Sequence, residues 1–154
     1  MKGEDVLAIA QTGTGKTAAF AIPVINKIHA AKTSRRSYGI KCIVMVPTRE
    51  LAQQIGEVFE TLSRHTKTKA FALYGGVEQD AQIKKLQDGI DILVATPGRM
   101  FDLISQGFIR LENVDTLVLD EADHMLDLGF SCDIKSVKKT HPQAPDPVFF
   151  RHHQ

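Results

Sequence analysis

Cysteine is scarce: the chain has two, Cys42 and Cys132, far apart and in no Cys-x-x-Cys pair. A zinc site and a disulfide scaffold are therefore disfavoured, and both residues read as plain thiols in a reducing compartment. Charge of one sign is equally lacking, with 19 Lys and Arg against 18 Asp and Glu for a net charge of +1. No global basic field announces a nucleic-acid partner, so any such contact has to be local. No apolar run approaches the roughly 18 residues of a membrane span, and Met1 to Asp5 carries no signal-peptide core. These absences point away from a membrane and towards the cytoplasm, with the nucleus left open. Repeats and low-complexity stretches are missing as well. His29, His65 and His124 do not cluster as metal ligands do, and no Ser-His-Asp or Cys-His set competes for a catalytic role.

What is present is the pattern of an α/β domain. At 154 residues the chain suits one domain, able to bury about two-thirds of its unfolded surface. Short β-branched apolar runs recur at Val6 to Ala10, Ile40 to Val46, Ala70 to Tyr74, Ile92 to Ala95 and Thr116 to Leu119. Between them lie helix-like stretches: Lys16 to Ala31, Arg49 to Ser63, Gln79 to Gln87, Gly98 to Gln106, and then Asp133 to Lys139. The alternation predicts βαβ units and a mostly parallel sheet, and runs apolar on both faces suit strands covered by helices on each side. Leu51, Ile55, Val58, Phe59 and Leu62 give the helix from Arg49 one buried face. Lys32 to Gly39 reads as a surface loop, whose two arginines suit a solvated connector better than a nucleic-acid contact.

The first chemical motif is A-Q-T-G-T-G-K-T, comprising Ala10, Gln11, Thr12, Gly13, Thr14, Gly15, Lys16 and Thr17, set between a strand and a helix. Gly13 and Gly15 let successive N–H groups turn inward towards phosphate oxygens at the positive end of the helix. Lys16 then reaches the β- and γ-phosphates of a nucleoside triphosphate, and the Thr17 hydroxyl coordinates Mg²⁺. The usual first glycine is Ala10 here, but the strand-loop-helix context carries the motif. The second is Asp120-Glu121-Ala122-Asp123, just beyond the carboxyl end of an apolar strand, where open α/β sheets place their ligand chemistry. Asp120 suits the holding of magnesium, and Glu121 the orienting of an attacking water. An acidic helix start is the plainer explanation for such a cluster; the upstream phosphate loop argues against it.

Together with P-T-R-E-L (Pro47 to Leu51), Gly75-Gly76 and T-P-G-R (Thr96 to Arg99), these motifs stand in the order found in one family. The chain resembles the first RecA-like domain of a DEAD-box ATP-dependent RNA helicase from about Lys2 to Lys139. The tetrad ends in Asp123, which separates it from the related DEAH group. The resemblance implies a RecA-like P-loop NTPase fold and the cofactors ATP and Mg²⁺. It implies catalysis from Lys16, Asp120 and Glu121, and coupling through Asp123. It further implies that Pro47, Thr48, Arg49, Gly75, Gly76, Thr96, Pro97, Gly98 and Arg99 bind the backbone of single-stranded RNA without reading its sequence. Each assignment has a rationale: hydroxyls on Thr48 and Thr96, charged forks on Arg49 and Arg99, and free N–H groups at helix starts after Pro47 and Pro97. Plainer uses also exist, with the prolines as strand-to-helix punctuation and Gly75-Gly76 as a turn.

Three family features are not found in this sequence: an adenine-reading segment ahead of the phosphate loop, a second RecA-like domain with its arginine fingers, and a Ser-Ala-Thr motif after the acids. The expectation is a fold over 1–139, incomplete at its C-terminal end, that by itself binds ATP and RNA weakly. A P-loop ATPase of another class, such as a DNA translocase, is the first alternative, though it has no reason to carry P-T-R-E-L and T-P-G-R at these spacings. A non-catalytic RNA- or ATP-binding fragment is the second.

Residues 140–154, T-H-P-Q-A-P-D-P-V-F-F-R-H-H-Q, hold three prolines and two adjacent histidines where the family has a buried strand. A frame shift is one explanation for them, and a divergent natural C-terminus is the other. With suitable codons, K-K-L-I-P-K-R-Q-T-L-F-F-S-A-T becomes Lys138, Lys139 and every residue from Thr140 to His153 once one adenine enters the lysine run. Sequencing the gene across codons 136 to 142 is expected to find an adenine run with that segment in the neighbouring frame. An uninterrupted frame without such a run overturns the idea.

Overall fold

The computed structural model describes residues 7–10, 14–34, 38–129 and 147–152. Strands and helices alternate: β1 (Leu7–Ala10), α1 (Thr14–Ser34), β2 (Cys42–Met45), α2 (Arg49–Ser63), β3 (Ala70–Leu73), α3 (Gln79–Gln87), β4 (Ile92–Ala95), α4 (Pro97–Ser105), β5 (Thr116–Asp120), α5 (Ala122–Asp127) and β6 (Pro147–His152). All pairings are parallel, in a sheet of order β1-β6-β5-β2-β4-β3. Every described strand therefore ends at the same edge.

Successive side chains of a strand point to opposite faces, and two cores follow from this. Cys42, Val44 and Val46 of the β2 region pack with Phe20, Ile25 and Ile28 of α1 and Ile55 and Phe59 of α2. On the other face, Ile43 and Met45 pack with Leu93 of β4, Leu119 of β5, Met100 and Leu103 of α4 and Met125 of α5. Cys42 is fully buried, and burial pushes its thiol pKa well up, which keeps it protonated and unreactive. Among the described residues no helix is long and apolar enough to cross a membrane.

The edge where the strands begin is tied by Asp91, whose carboxylate accepts from Lys32 Nζ at 2.6 Å and from the Lys69 backbone N–H at 2.8 Å. Its carbonyl accepts from the N–H groups of Lys41 and Cys42 at 2.7 and 3.1 Å. The contact to Lys32 corrects one expectation. Lys32 to Ser34, read as the start of a loop, form the last turn of α1, because tertiary pairing outweighs their weak local preference. The arginines of that stretch lie outside the described residues, as does the helix expected over Asp133 to Lys139. Lys41 donates to the carbonyls of Tyr38 and Gly39 at 3.0 and 2.7 Å, and burial lowers its pKa against the opposing pull of Asp91.

Three further features go beyond the sequence pattern. Helix α5 starts at Ala122, inside the acidic motif, and is too short for periodicity to reveal. Pro23 lies inside α1 on its exposed side, where a missing N–H costs least. Strand β6 arises from the tail, with Pro147 as its first residue, and lies between β1 and β5.

Helix α2 meets β3 through two small residues: a Cβ added at Gly56 would sit 2.7 Å from the Ala72 Cβ. Gly56→Ala is expected to destabilise the fold by about 1–2 kcal/mol, overpacking outweighing the gain in helix propensity. Thermal unfolding would read this as a fall of several degrees, largely reversed in Gly56→Ala/Ala72→Gly. An unchanged melting point for the single variant counts against this close packing.

Candidate functional site

At the carboxyl edge of the sheet, α1 brings the phosphate-loop lysine back onto the end of β5. Lys16 Nζ lies 3.4 Å from Asp120 Oδ1, and both side chains are only 7% exposed. That oxygen also accepts from the Glu121 backbone N–H at 3.1 Å. Gly15, Lys16, Thr17, Asp120 and Glu121 line one end of a cleft of about 950 Å³ that continues along α2 past Leu51, Gln54 and Val58. A Cβ at Gly15 would meet no protein atom within 4 Å. Packing against the rest of the chain therefore does not require glycine there. Gln11, Thr12 and Gly13 lie outside the described residues, Ala10 ends β1, and Thr14 opens α1.

Glu121 has φ of 52°, alone among the described non-glycine residues in being positive. This left-handed conformation is disfavoured for glutamate and turns the chain sharply from β5 into α5. Its carboxylate lies 3.4 Å from His124 Nδ1. A hard carboxylate on Asp120, a hydroxyl on Thr17 and an ammonium on Lys16 form a donor set that fits a magnesium-bound polyphosphate. Asp123 sits in the first turn of α5.

The remaining sequence candidates gather along the same edge, at the ends of β2, β3 and β4. Thr48 caps α2: its backbone is extended and its hydroxyl accepts from the Leu51 N–H at 3.3 Å. Its hydroxyl thus accepts one bond within the chain and keeps its own O–H to donate. Thr96 precedes Pro97 at the start of α4 and makes no side-chain cap bond. Gly76 has φ of 76°, a conformation that favours glycine, and a Cβ there would also meet Arg49 Nη1 at 3.4 Å. A Cβ at Gly75 or Gly98 would meet nothing within 4 Å.

The two arginines are held differently. The Arg49 guanidinium lies over the Tyr74 ring, 5.1 Å from its centroid, in cation–π geometry. Arg99 turns back into the protein, donating from Nη1 to Gln82 Oε1 at 2.6 Å and from Nη2 to the Val77 carbonyl at 3.2 Å. Gln82 Nε2 in turn donates to the Tyr74 carbonyl at 3.0 Å, and Gln53 Nε2 to the Tyr74 hydroxyl at 3.1 Å. Gln53, Tyr74 and Gln82 were not candidates from sequence. A polar residue on a polar helix leaves no mark in periodicity; only the burial of Gln82 in the fold sets it apart.

Comparison with known proteins agrees with this layout. The DEAD/DEAH box helicase family model matches residues 1–150. The chain is 48% identical over 137 residues to ATP-dependent RNA helicase DBP3 of Lodderomyces elongisporus, covering 89% of this chain and 25% of that protein. It is 41% identical over 150 residues to DEAD-box ATP-dependent RNA helicase CshA of Bacillus cereus, covering 97% of this chain and 28% of that one. Among solved structures, a hypothetical ATP-dependent RNA helicase from Sulfolobus tokodaii superposes with a TM-score of 0.81 at 37% identity, over 99% of this chain and 42% of the other. The yeast DEAD-box splicing factor Prp28 gives 0.81 at 32% identity, over 98% and 37%. The chain thus spans between a quarter and a third of the two curated relatives.

The strained backbone at Glu121 generates a stability prediction. Glu121→Gly should raise stability by roughly 0.5–1 kcal/mol through relief of the left-handed φ, although it removes a carboxylate from the cleft. Denaturant unfolding checks this, and destabilisation by the glycine would mean that the side chain's contacts outweigh the strain.

Proposed function

The chain belongs to the DEAD/DEAH box helicase family, and on that premise we propose that it is the ATP-binding domain of an ATP-dependent RNA helicase. In this reading ATP binding and hydrolysis are coupled to non-sequence-specific binding of single-stranded RNA and to duplex unwinding. The observation that carries it is the 3.4 Å approach of Lys16 Nζ to Asp120 Oδ1. It joins the phosphate-loop lysine to the metal-holding acid, and both line one cleft with Thr17 and Glu121.

The residues divide the work by their chemistry. Lys16 and the backbone N–H groups from Ala10 to Thr17 hold the phosphates, while Thr17 and Asp120 hold the cation. Magnesium, when bound, neutralises phosphate charge. Glu121 orients the attacking water, and its backbone turn fixes where that carboxylate starts from. Asp123 is assigned to coupling by family resemblance alone.

RNA lies along the other half of the edge. Gly75, Gly76, Pro97 and Gly98 allow close backbone approach, and the N–H groups at the starts of α2 and α4 meet phosphates. Thr48 and Pro47 contribute by shaping the first of those helix starts, Thr96 by its hydroxyl, and Arg49 and Arg99 by charge. A second RecA-like domain supplies arginines that complete the ATP site, and the cytoplasm is the proposed compartment. The family assignment disfavours a DNA translocase of another class. A non-catalytic fragment is distinguished by RNA affinity that does not respond to a non-hydrolysable ATP analogue.

Mg-ATP at a hundred times its dissociation constant should stabilise the chain by about 2.7 kcal/mol, seen as a rise of several degrees in thermal unfolding. Lys16→Ala should show no such rise, and equal protection of that variant would overturn the site assignment. RNA-stimulated turnover by the 154-residue chain itself is expected to be negligible; robust stimulation would refute the need for arginines in trans.

A further inference from the structure

Three segments proposed to meet RNA leave three different strands, and one side chain ties two of them together. Gln82, on α3, is buried at 5% exposure although it belongs to a polar helix. Its amide faces both ways: Nε2 donates to the carbonyl of Tyr74, the residue before Gly75-Gly76, and Oε1 accepts from Arg99 of α4. Arg99 closes the ring by donating to the Val77 carbonyl just past the glycines. The turn of residues 75–77 is therefore bounded on both sides by hydrogen bonds that run through Gln82 and Arg99.

Beside it, Tyr74 carries the Arg49 guanidinium on its ring and accepts from Gln53 of α2 through its hydroxyl. A glycine pair is intrinsically loose, since glycine loses more conformational freedom on ordering than any other residue. A surface that reads a phosphate backbone by N–H groups needs them fixed in advance.

We propose that Gln82 is a positioning residue for RNA binding, locking the Gly75-Gly76 turn to the start of α4 by holding Arg99 in place. Arg99 then acts first as a brace and only secondarily as a charge offered to phosphate. The inference rests on the proposed RNA-binding role of this edge. It predicts that Gln82 and Arg99 behave as one unit in RNA affinity, and that the nucleotide cleft at the other end of the sheet is indifferent to both.

The test is a double-mutant cycle with Gln82→Met, which keeps length and volume but removes both hydrogen bonds, and Arg99→Ala. Affinity for a fluorescein-labelled oligouridylate is measured by anisotropy at low salt, with Mg-ATP affinity as the control and amide hydrogen exchange followed over residues 74–79 and 96–100. Gln82→Met is expected to lower RNA affinity about tenfold and to speed exchange in both segments, with Mg-ATP affinity within twofold of the parent. The double variant should bind RNA no more than twofold worse than Arg99→Ala.

Unchanged RNA affinity and exchange in Gln82→Met, or losses that multiply in the double variant, overturn the proposal alone. Loss of Mg-ATP affinity along with RNA affinity would show a general folding role and also overturn it. A parent chain that does not bind the oligonucleotide overturns the RNA reading itself, and the positioning role falls with it.

Discussion

Parallel pairing of the strands is the constraint on which the rest depends. In a parallel sheet each strand must be followed by a crossover, so loop chemistry gathers at one edge and return connections at the other. The register makes that edge nearly level: Met45 stands opposite Ala95 and Leu119, and Ala95 opposite Leu73. The exits towards Pro47, Gly75, Thr96 and Asp120 therefore lie within about one residue of a common line. Strand β1 breaks the line. Its Leu7 is level with Phe149 and, through β6, with Leu119, so Ala10 projects three residues further, roughly 10 Å at strand rise. Ala10 thereby stands above the edge, and α1 places Lys16 beside Asp120.

Strand order then separates the two chemistries along this edge. Acid and phosphate motifs follow β5 and β1, on either side of β6, whereas the candidate backbone-reading segments follow β2, β4 and β3. Because β2 adjoins β5, helix α2 belongs to both halves. Its first residue, Arg49, lies over Tyr74, while Leu51, Gln54 and Val58 line the cleft shared with Lys16 and Asp120. One rigid helix with a buried face therefore touches both proposed binding regions.

Much of this was legible in the sequence because the informative signals are local. Fully buried strands such as Ile92–Ala95 show as continuous apolar runs, and α2 shows its buried face at Ile55 and Phe59. The helices Arg49–Ser63 and Gln79–Gln87 occur over the expected residues. Legibility fails where long-range contacts decide. Lys32 to Ser34 are helical because Lys32 reaches Asp91, a partner that local composition does not name. Gln82 is likewise marked only by what folds around it. The phosphate and acid motifs could be found as words, but their 3.4 Å approach depends on the order of strands between them.

The same reasoning limits what a motif letter can mean. Thr48 and Arg99 carry groups suited to phosphate, yet here the Thr48 hydroxyl accepts from the Leu51 N–H and the Arg99 fork spans Gln82 and Val77. Capping orders the first turn of α2 and leaves its other early N–H groups pointing out of the helix end. Bracing fixes a glycine turn that would otherwise pay its ordering entropy at the moment of binding. In both places the charged or polar side chain works on the protein's backbone, and the backbone is what is left to face a ligand. Under the proposed RNA reading, a surface built this way offers the sugar and the phosphate a set of groups that cannot tell one base from another.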